Sequence, residues 1–232
     1  IMGFFSKIKL LLYRCFNINP PKYPYMIEPS QLALLVNELD KLKDTASSVI
    51  EIGTFRGMTT RFLCEHITRQ NLNNISYWAV DTFNSFTKED VDFEVIERGK
   101  KRSSISSGFI VNDFDIFKKN FKDYPFLNVI KDNCTEVNYE AMKPIKLVFL
   151  DVDLYLPTIK VLRRVFSLLE EGGVIIVDDV MENNTWDGAY QAYMEFCKEL
   201  NIIPNAIKID TEGHELEVIK GATKLIENHR EI

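Results

Sequence analysis

Cysteine is scarce. The 232 residues hold four, at Cys15, Cys64, Cys134 and Cys197, and none forms a CxxC pair. That spacing excludes a disulfide framework and a thiolate metal cluster, and it fits free thiols in a reducing, cytoplasmic setting. Long apolar runs are lacking too, so no segment is expected to cross a bilayer. Positive charge is in deficit: 28 Lys and Arg stand against 34 Asp and Glu, a formal net charge of -6. A surface of that sign does not attract a phosphate backbone, so a nucleic-acid partner is disfavoured. No stretch rich in Gly, Pro or Ser reads as a linker.

What is present is alternation. Short β-branched, apolar runs at Ser48–Ile52, Tyr77–Val80, Asn128–Lys131, Lys146–Leu150 and Val174–Val177 read as strands. Helical patterns at Thr59–Arg69, Asp113–Phe121, Pro157–Leu169 and Gly188–Leu200 lie between and after them, and another, Pro29–Leu42, precedes the first. Strands apolar on both faces that alternate with helices predict a Rossmann-like α/β fold, with a mostly parallel sheet covered on both sides. The expected division is an N-terminal helical segment, 1–44, and one α/β domain, 45–232. Residues 2–16 are apolar with three basic side chains. They read as an amphipathic helix that rests on a membrane surface, on its own domain or on a second subunit of a homodimer. Ile1 ahead of Met2 reads as an addition to the natural start. Thr87–Val111 is polar, carries Lys100-Lys101-Arg102 and four serines, and is long for a βα connection. It is expected to be a lid or partly disordered.

The strand Val49-Ile50-Glu51-Ile52 runs into Gly53-Thr54-Phe55-Arg56-Gly57 and then a helix. Glycines let backbone pass close to a ligand, and a helix start supplies free N–H groups. The spacing E-x-G-x-x-x-G differs from the tighter G-x-G-x-x-G turn that cradles a pyrophosphate. It suits S-adenosylmethionine, which has no pyrophosphate and whose ammonium group Glu51 can orient. Asp81 ends the next strand, where a carboxylate can accept both ribose hydroxyls, with Thr82 beside it. Asp132-Asn133 closes the third strand and falls beside the adenine, although both residue types also favour any turn.

Two further strands end in acids, at Asp151-Val152-Asp153 and at Asp178-Asp179. Ligands of open α/β sheets bind beyond the carboxyl ends of the strands. Three or four carboxylates converging there repel one another unless a cation lies between them, and hard oxygen ligands suit Mg²⁺. The alternative is that some of these acids cap the following helices, Asp153 and one of the Asp178-Asp179 pair above all.

In order along the chain, these residues resemble the macrocin O-methyltransferase (TylF-type) family. The family's E-x-G-x-x-R-G turn falls on Glu51 to Gly57, with Arg56 in place. Its D-S-F-x-G is matched by Asp81-Thr82-Phe83-Asn84-Ser85, which loses the glycine. Its D-G-D-L-Y-E-S-T is matched at five of eight positions by Asp151 to Thr158. Gly172-Gly173 with Asp178-Asp179, and Trp186, Gly188, Ala192 and Phe196, complete the set, over roughly residues 45 to 200. The resemblance implies methylation of a sugar hydroxyl with a divalent cation on Asp151, Asp178 and Asp179, and Asp151 doubling as general base. Val152 in place of the family glycine, and Leu156-Pro157 in place of Glu-Ser, fall near the acceptor, so the acceptor need not be a macrolide sugar. The segment from Ala206 to Ala222 is similar to the FkbM methyltransferase signature. It reads either as a hairpin around Thr211–His214 or as a strand followed by a helix from Gly213 to Glu227. His214 reads as a turn or surface residue.

The function expected from the sequence is an O-methyltransferase acting on a sugar or other polyhydroxylated small molecule, probed against three alternatives. These are a catechol-type small-phenol methyltransferase, a SAM-binding protein without turnover, and a nicotinamide oxidoreductase, which the Glu51 turn disfavours.

Overall fold

The computed structural model describes residues 8, 27–105, 109–182 and 186–201. The segments 2–16 and 206–232, with their membrane-surface, hairpin and helix readings and His214, lie outside the described residues apart from Ile8.

Five strands form one all-parallel sheet: β1 (Ser47–Ile52), β2 (Ile75–Asp81), β3 (Leu127–Lys131), β4 (Ile145–Leu150) and β5 (Leu169–Val177). Their spatial order is β3-β2-β1-β4-β5, so the direction of winding reverses at β1. Alternate side chains of each strand enter opposite layers. Val49, Tyr77, Ala79, Leu147 and Phe149 enter one core, with α1 (Pro29–Asp40), α2 (Met58–Arg69) and the aromatic side of α5 (Phe114–Asn120). Ile50, Ile52, Val80, Val148 and Leu150 enter the other, under α6 (Tyr155–Phe166) and α7 (Gly188–Glu199). Two dry cores flanking one sheet are what the doubly apolar strands predict, and the expected Rossmann-like α/β fold is the fold observed.

Local chemistry sets the helix ends. In α1, Pro29 occupies the first turn, where its missing N–H costs nothing, and Leu32, Leu35 and Leu39 share the buried face. Helix α5 starts at Asp113, whose Oδ1 accepts the Ile116 N–H at 2.8 Å. Among the described residues the cysteines Cys64, Cys134 and Cys197 are free. No helix among them is long and apolar enough to cross a membrane.

Two expectations need correction. Helix α6 stops at Phe166 and β5 begins at Leu169, not Val174. The strand starts in register with Ile145 and is interrupted at Glu170–Gly173 before Val174 pairs with Leu147. That polar bulge hides the strand's beginning from any reading based on apolar runs. The second correction is the segment Thr87–Val111. It holds two helices, α3 (Lys88–Ile96) and the short α4 (Arg102–Ile105), although residues 106–108 are not described. Thr87 caps α3: it accepts the Asp90 N–H at 3.2 Å and donates to Asp90 Oδ2 at 2.6 Å. Val91 and Ile105 pack with Leu154, against Phe86, Val95 and Trp186, in a small third core. Part of the segment's charge is paired inside the fold, at Glu94, Arg98 and Lys100, while Lys88, Glu89, Glu97, Lys101 and Arg102 stay exposed.

Helix α1 is part of the main core, since Leu35 and Leu39 are fully buried beneath it. Leu35→Ala is therefore expected to lower unfolding free energy by about 2–5 kcal/mol. Urea titration gives the readout; an unchanged midpoint contradicts this docking.

Candidate active site

The strand ends lie level. Backbone hydrogen bonds continue one residue past each strand: Gly53 N–H to Val80 O (2.9 Å), Asp151 N–H to Ile52 O (2.8 Å), Asp178 N–H to Leu150 O (2.8 Å) and Asp132 N–H to Asp81 O (3.1 Å). Five sequence-expected residues, Gly53, Asp81, Asp132, Asp151 and Asp178, thus stand along one carboxyl edge, at the point where the winding reverses.

A cleft opens above this edge, with about 670 Å³ of space including its mouth. That size suits a nucleoside-bearing ligand. Gly53, Asp81, Thr82, Asp132, Asn133 and Asp151 line it. Glu51, Thr54, Arg56 and Gly57 do not, and each has another setting. Strand parity sends Glu51 into the layer under α2. There Thr60 donates to its Oε2 at 2.7 Å and Tyr77 at 2.5 Å. Burial pushes the Glu51 carboxyl up to about 7, against the lowering effect of those two hydrogen bonds. Arg56 is exposed. Gly57 has φ of +82°, and a β-carbon there would lie 2.7 Å from the rings of Phe117 and Phe121, so its smallness serves helix packing. Gly53 has φ of +87° and runs against the Asp151 carbonyl, leaving no room for a side chain. Gly53 thus lets β1 and β4 meet at the cleft floor.

Asp81 organises the turn. Its Oδ2 accepts the N–H groups of Thr54 and Phe55, both at 2.9 Å. Its Oδ1 accepts the Phe83 N–H at 2.6 Å and the Asn112 side-chain amide at 3.1 Å. Thr82 donates to Ser85 O at 2.6 Å, which closes the next turn. Asp132 and Asn133 accept the N–H groups of Asn133 and Thr135, as turn residues do.

At the other end of the cleft the acids converge. Carboxylate oxygens of Asp151, Asp153 and Asp179 lie within 4.8 Å of one another. Asp178 accepts the Asp179 N–H at 2.8 Å and is near enough to act on Asp151. Burial raises Asp151 well above the usual carboxylate range, and Asp178, Asp153, Asp179 and Glu51 push it further in the same direction. Asp153 is raised for the same reasons, with a carboxyl–carboxyl hydrogen bond to Asp179. The capping alternative fails for Asp153, because α6 begins without a side-chain cap. Its place is in the acid cluster, and the D-x-D spacing was the signal.

The wall opposite comes largely from the segment expected as a lid, though its individual residues were not singled out from the sequence. Phe86, Thr87, Asp90, Phe109 and Asn112 line the cleft. Phe109 meets Phe55 and Phe86 edge-on, with centroids 5.1 and 5.3 Å apart. The Thr87-x-x-Asp90 capping pattern was the available sign that a helix, not a loop, covers the site.

An all-parallel sheet wound both ways from its first strand, with acids at the ends of β1, β2, β4 and β5, defines a class I methyltransferase. A family model described as Macrocin-O-methyltransferase (TylF) matches residues 25–215, and the chain belongs to that family. The protein is accordingly a SAM-dependent O-methyltransferase. Solved structures agree in fold. The O-methyltransferase NovP matches with a TM-score of 0.62 and 18% identity, over 82% of this chain and 79% of its own. CalS11, a calicheamicin methyltransferase, matches with a TM-score of 0.60 and 17% identity, over 91% of each chain. An apo structure of CalS11, described as a TDP-rhamnose 3'-O-methyltransferase, matches with a TM-score of 0.53 and 16% identity, over 91% of this chain and 93% of its own. No curated protein matches the chain.

Glu51 makes stability depend on pH. Its folded-state value of about 7 stands above the ordinary 4.5, so the folded chain holds a proton that the unfolded chain releases. The resulting stability falls as pH rises from about 4.5 to 7, by about 3 kcal/mol at full extent. Glu51→Gln removes this titration. The stability of wild type relative to the Gln variant should decline between pH 5 and pH 8 in thermal melts without ligand. A constant difference across that range contradicts the assignment.

Proposed function

We propose that the protein methylates a hydroxyl of a sugar or related polyhydroxylated small molecule, with a divalent cation, Mg²⁺ by preference, at the aspartate cluster. The observation that carries this reading is the convergence of Asp151, Asp153 and Asp179, the first two of which line the same cleft as Asp81. These are hard, anionic oxygen donors whose mutual repulsion a dication relieves, so the donor set fits the ion. The family pattern assigns ligation to Asp151, Asp178 and Asp179; the converging carboxylates are Asp151, Asp153 and Asp179, with Asp153 where the pattern has Asp178. Bound there, the cation supplies charge that lowers the pKa of the acceptor hydroxyl. Asp151 takes the hydroxyl proton as general base. The acceptor oxygen forms a bond to the methyl carbon while the carbon–sulfur bond of SAM breaks.

The donor end is the half of the cleft around Gly53, Asp81, Thr82, Asp132 and Asn133. Thr54 and Gly57 shape the turn from behind, while Glu51 in the core and Arg56 on the surface stand outside the cleft. A ribose hydroxyl reaching Asp81 Oδ1 takes the seat that the Asn112 amide occupies. The family name and the CalS11 neighbour's acceptor support a sugar. The acidic surface supports a small-molecule acceptor rather than nucleic acid, and the free thiols support a cytoplasmic location. Residues 2–16 remain our candidate for a homodimer contact or a peripheral membrane contact.

A methyl-transfer screen against sugar nucleotides and glycosides tests the acceptor. With an acceptor in hand, EDTA should stop turnover and Mg²⁺ should restore it. Asp151→Asn should lower the rate at least a hundredfold and change SAM affinity by less than threefold. Full activity in EDTA contradicts the metal reading.

A further inference from the structure

Behind the acid cluster lies a charged network that neither SAM nor the acids explain. The side chain of Arg98 is 8% exposed and that of Glu94 is 1% exposed. Arg98 Nη1 donates to Glu94 Oε2 at 3.0 Å. Its Nη2 donates to Asp187 Oδ1 at 2.7 Å and to the Asp187 carbonyl at 3.4 Å. Lys100 also pairs with Asp187, at 2.6 Å. Arg98 therefore ties together α3 and the start of α7.

Both arms of this network end on the backbone of Asp153–Tyr155. On one side, Glu94 Oε1 accepts the Tyr155 N–H at 2.8 Å. On the other, Asp187 leads directly into Gly188 and Ala189. The Ala189 N–H donates to the Asp153 carbonyl at 3.1 Å. Gly188 lies flat against the same segment: a β-carbon there would sit 2.8 Å from Asp153 O and would collide with the Tyr155 nitrogen. Asp153 itself has φ of +59°, a left-handed conformation that a non-glycine residue keeps only when its surroundings hold it. A buried ion-pair network adds little to stability, because desolvation offsets the attraction between the charges. Fixing one backbone arrangement is a better account of it.

We propose that Arg98 is a positioning residue for the metal site. It clamps Glu94 and Asp187 so that the Asp153 carboxylate is presented to Asp151 and Asp179. This inference rests on the metal reading above, deepens it, and involves no contact between Arg98 and any ligand.

The main variant is R98K, which keeps a buried positive charge, so the fold is preserved. A single ammonium lacks the planar fork that bridges Glu94 and Asp187. The second is G188A, which disturbs the far end of the same chain of contacts. The probe is Mn²⁺ alone, its binding read by electron paramagnetic resonance, with S-adenosylhomocysteine affinity and melting temperature measured in parallel. R98K should weaken Mn²⁺ binding at least tenfold and change S-adenosylhomocysteine affinity by less than twofold. The R98K/G188A double variant should be no weaker than the worse single variant, since both act through one segment. Wild-type binding of Mn²⁺ together with an unchanged constant in folded R98K overturns the Arg98 assignment alone. Wild-type protein that fails to bind Mn²⁺ overturns the metal reading and this inference with it.

Discussion

Mutual repulsion among aspartates is the constraint around which this molecule is arranged. Parallel neighbours β4 and β5 end at the same level, because the Asp178 N–H reaches Leu150 O. Their terminal acids are therefore forced to share one small volume. Carboxylates in such a setting either keep protons or gather a counter-charge. The surrounding structure supplies part of that counter-charge and none of the escape. Helix α6 begins at Tyr155, just after Asp153, and α7 begins at Gly188, whose neighbour Ala189 donates to the Asp153 carbonyl. Two helix N-termini thus meet at the acids, where their partial positive charge is favourable.

The donor half of the cleft solves a different problem by similar means. There one carboxylate, Asp81, gathers three backbone N–H groups from two turns. It builds the site before it binds anything. Both carboxylate oxygens are thereby held in place by the backbone, and only the Asn112 side-chain amide adds a contact that is not part of a turn.

Much of this could be read from the residues. The sheet, its five strands and the two-sided core follow from doubly apolar runs, and the edge residues follow from where those runs stop. What escaped were features that depend on pairing across the chain. Glu51 reads as a ligand residue because it stands before a glycine turn. Strand parity, once Val49 and Tyr77 are known to face α2, sends it inward instead. Thr87–Val111 reads as a lid or a partly disordered segment because its charges are visible and their partners are not: Arg98 meets Asp187 across 89 positions. For Asp153 the residues leave two readings open, a place among converging acids or a helix cap, and the α6 start lacks a side-chain cap.

One departure from the family pattern falls on strained backbone. At the end of the D-S-F-x-G turn, Ser85 replaces the glycine yet keeps φ of +61°. Left-handed backbone costs a non-glycine residue roughly 1–2 kcal/mol. Phe55, Phe83, Phe109, Asp153 and Asp179 adopt positive φ as well, and all lie at or beside the cleft. Strain of this kind persists only where neighbouring contacts over-determine the conformation. For Ser85 that contact is its own carbonyl, which accepts the Thr82 hydroxyl at 2.6 Å. A turn that glycine would adopt freely is here imposed by a side-chain hydrogen bond. The turn so fixed sets Ser85 on the cleft lining, at the position where the family pattern has glycine.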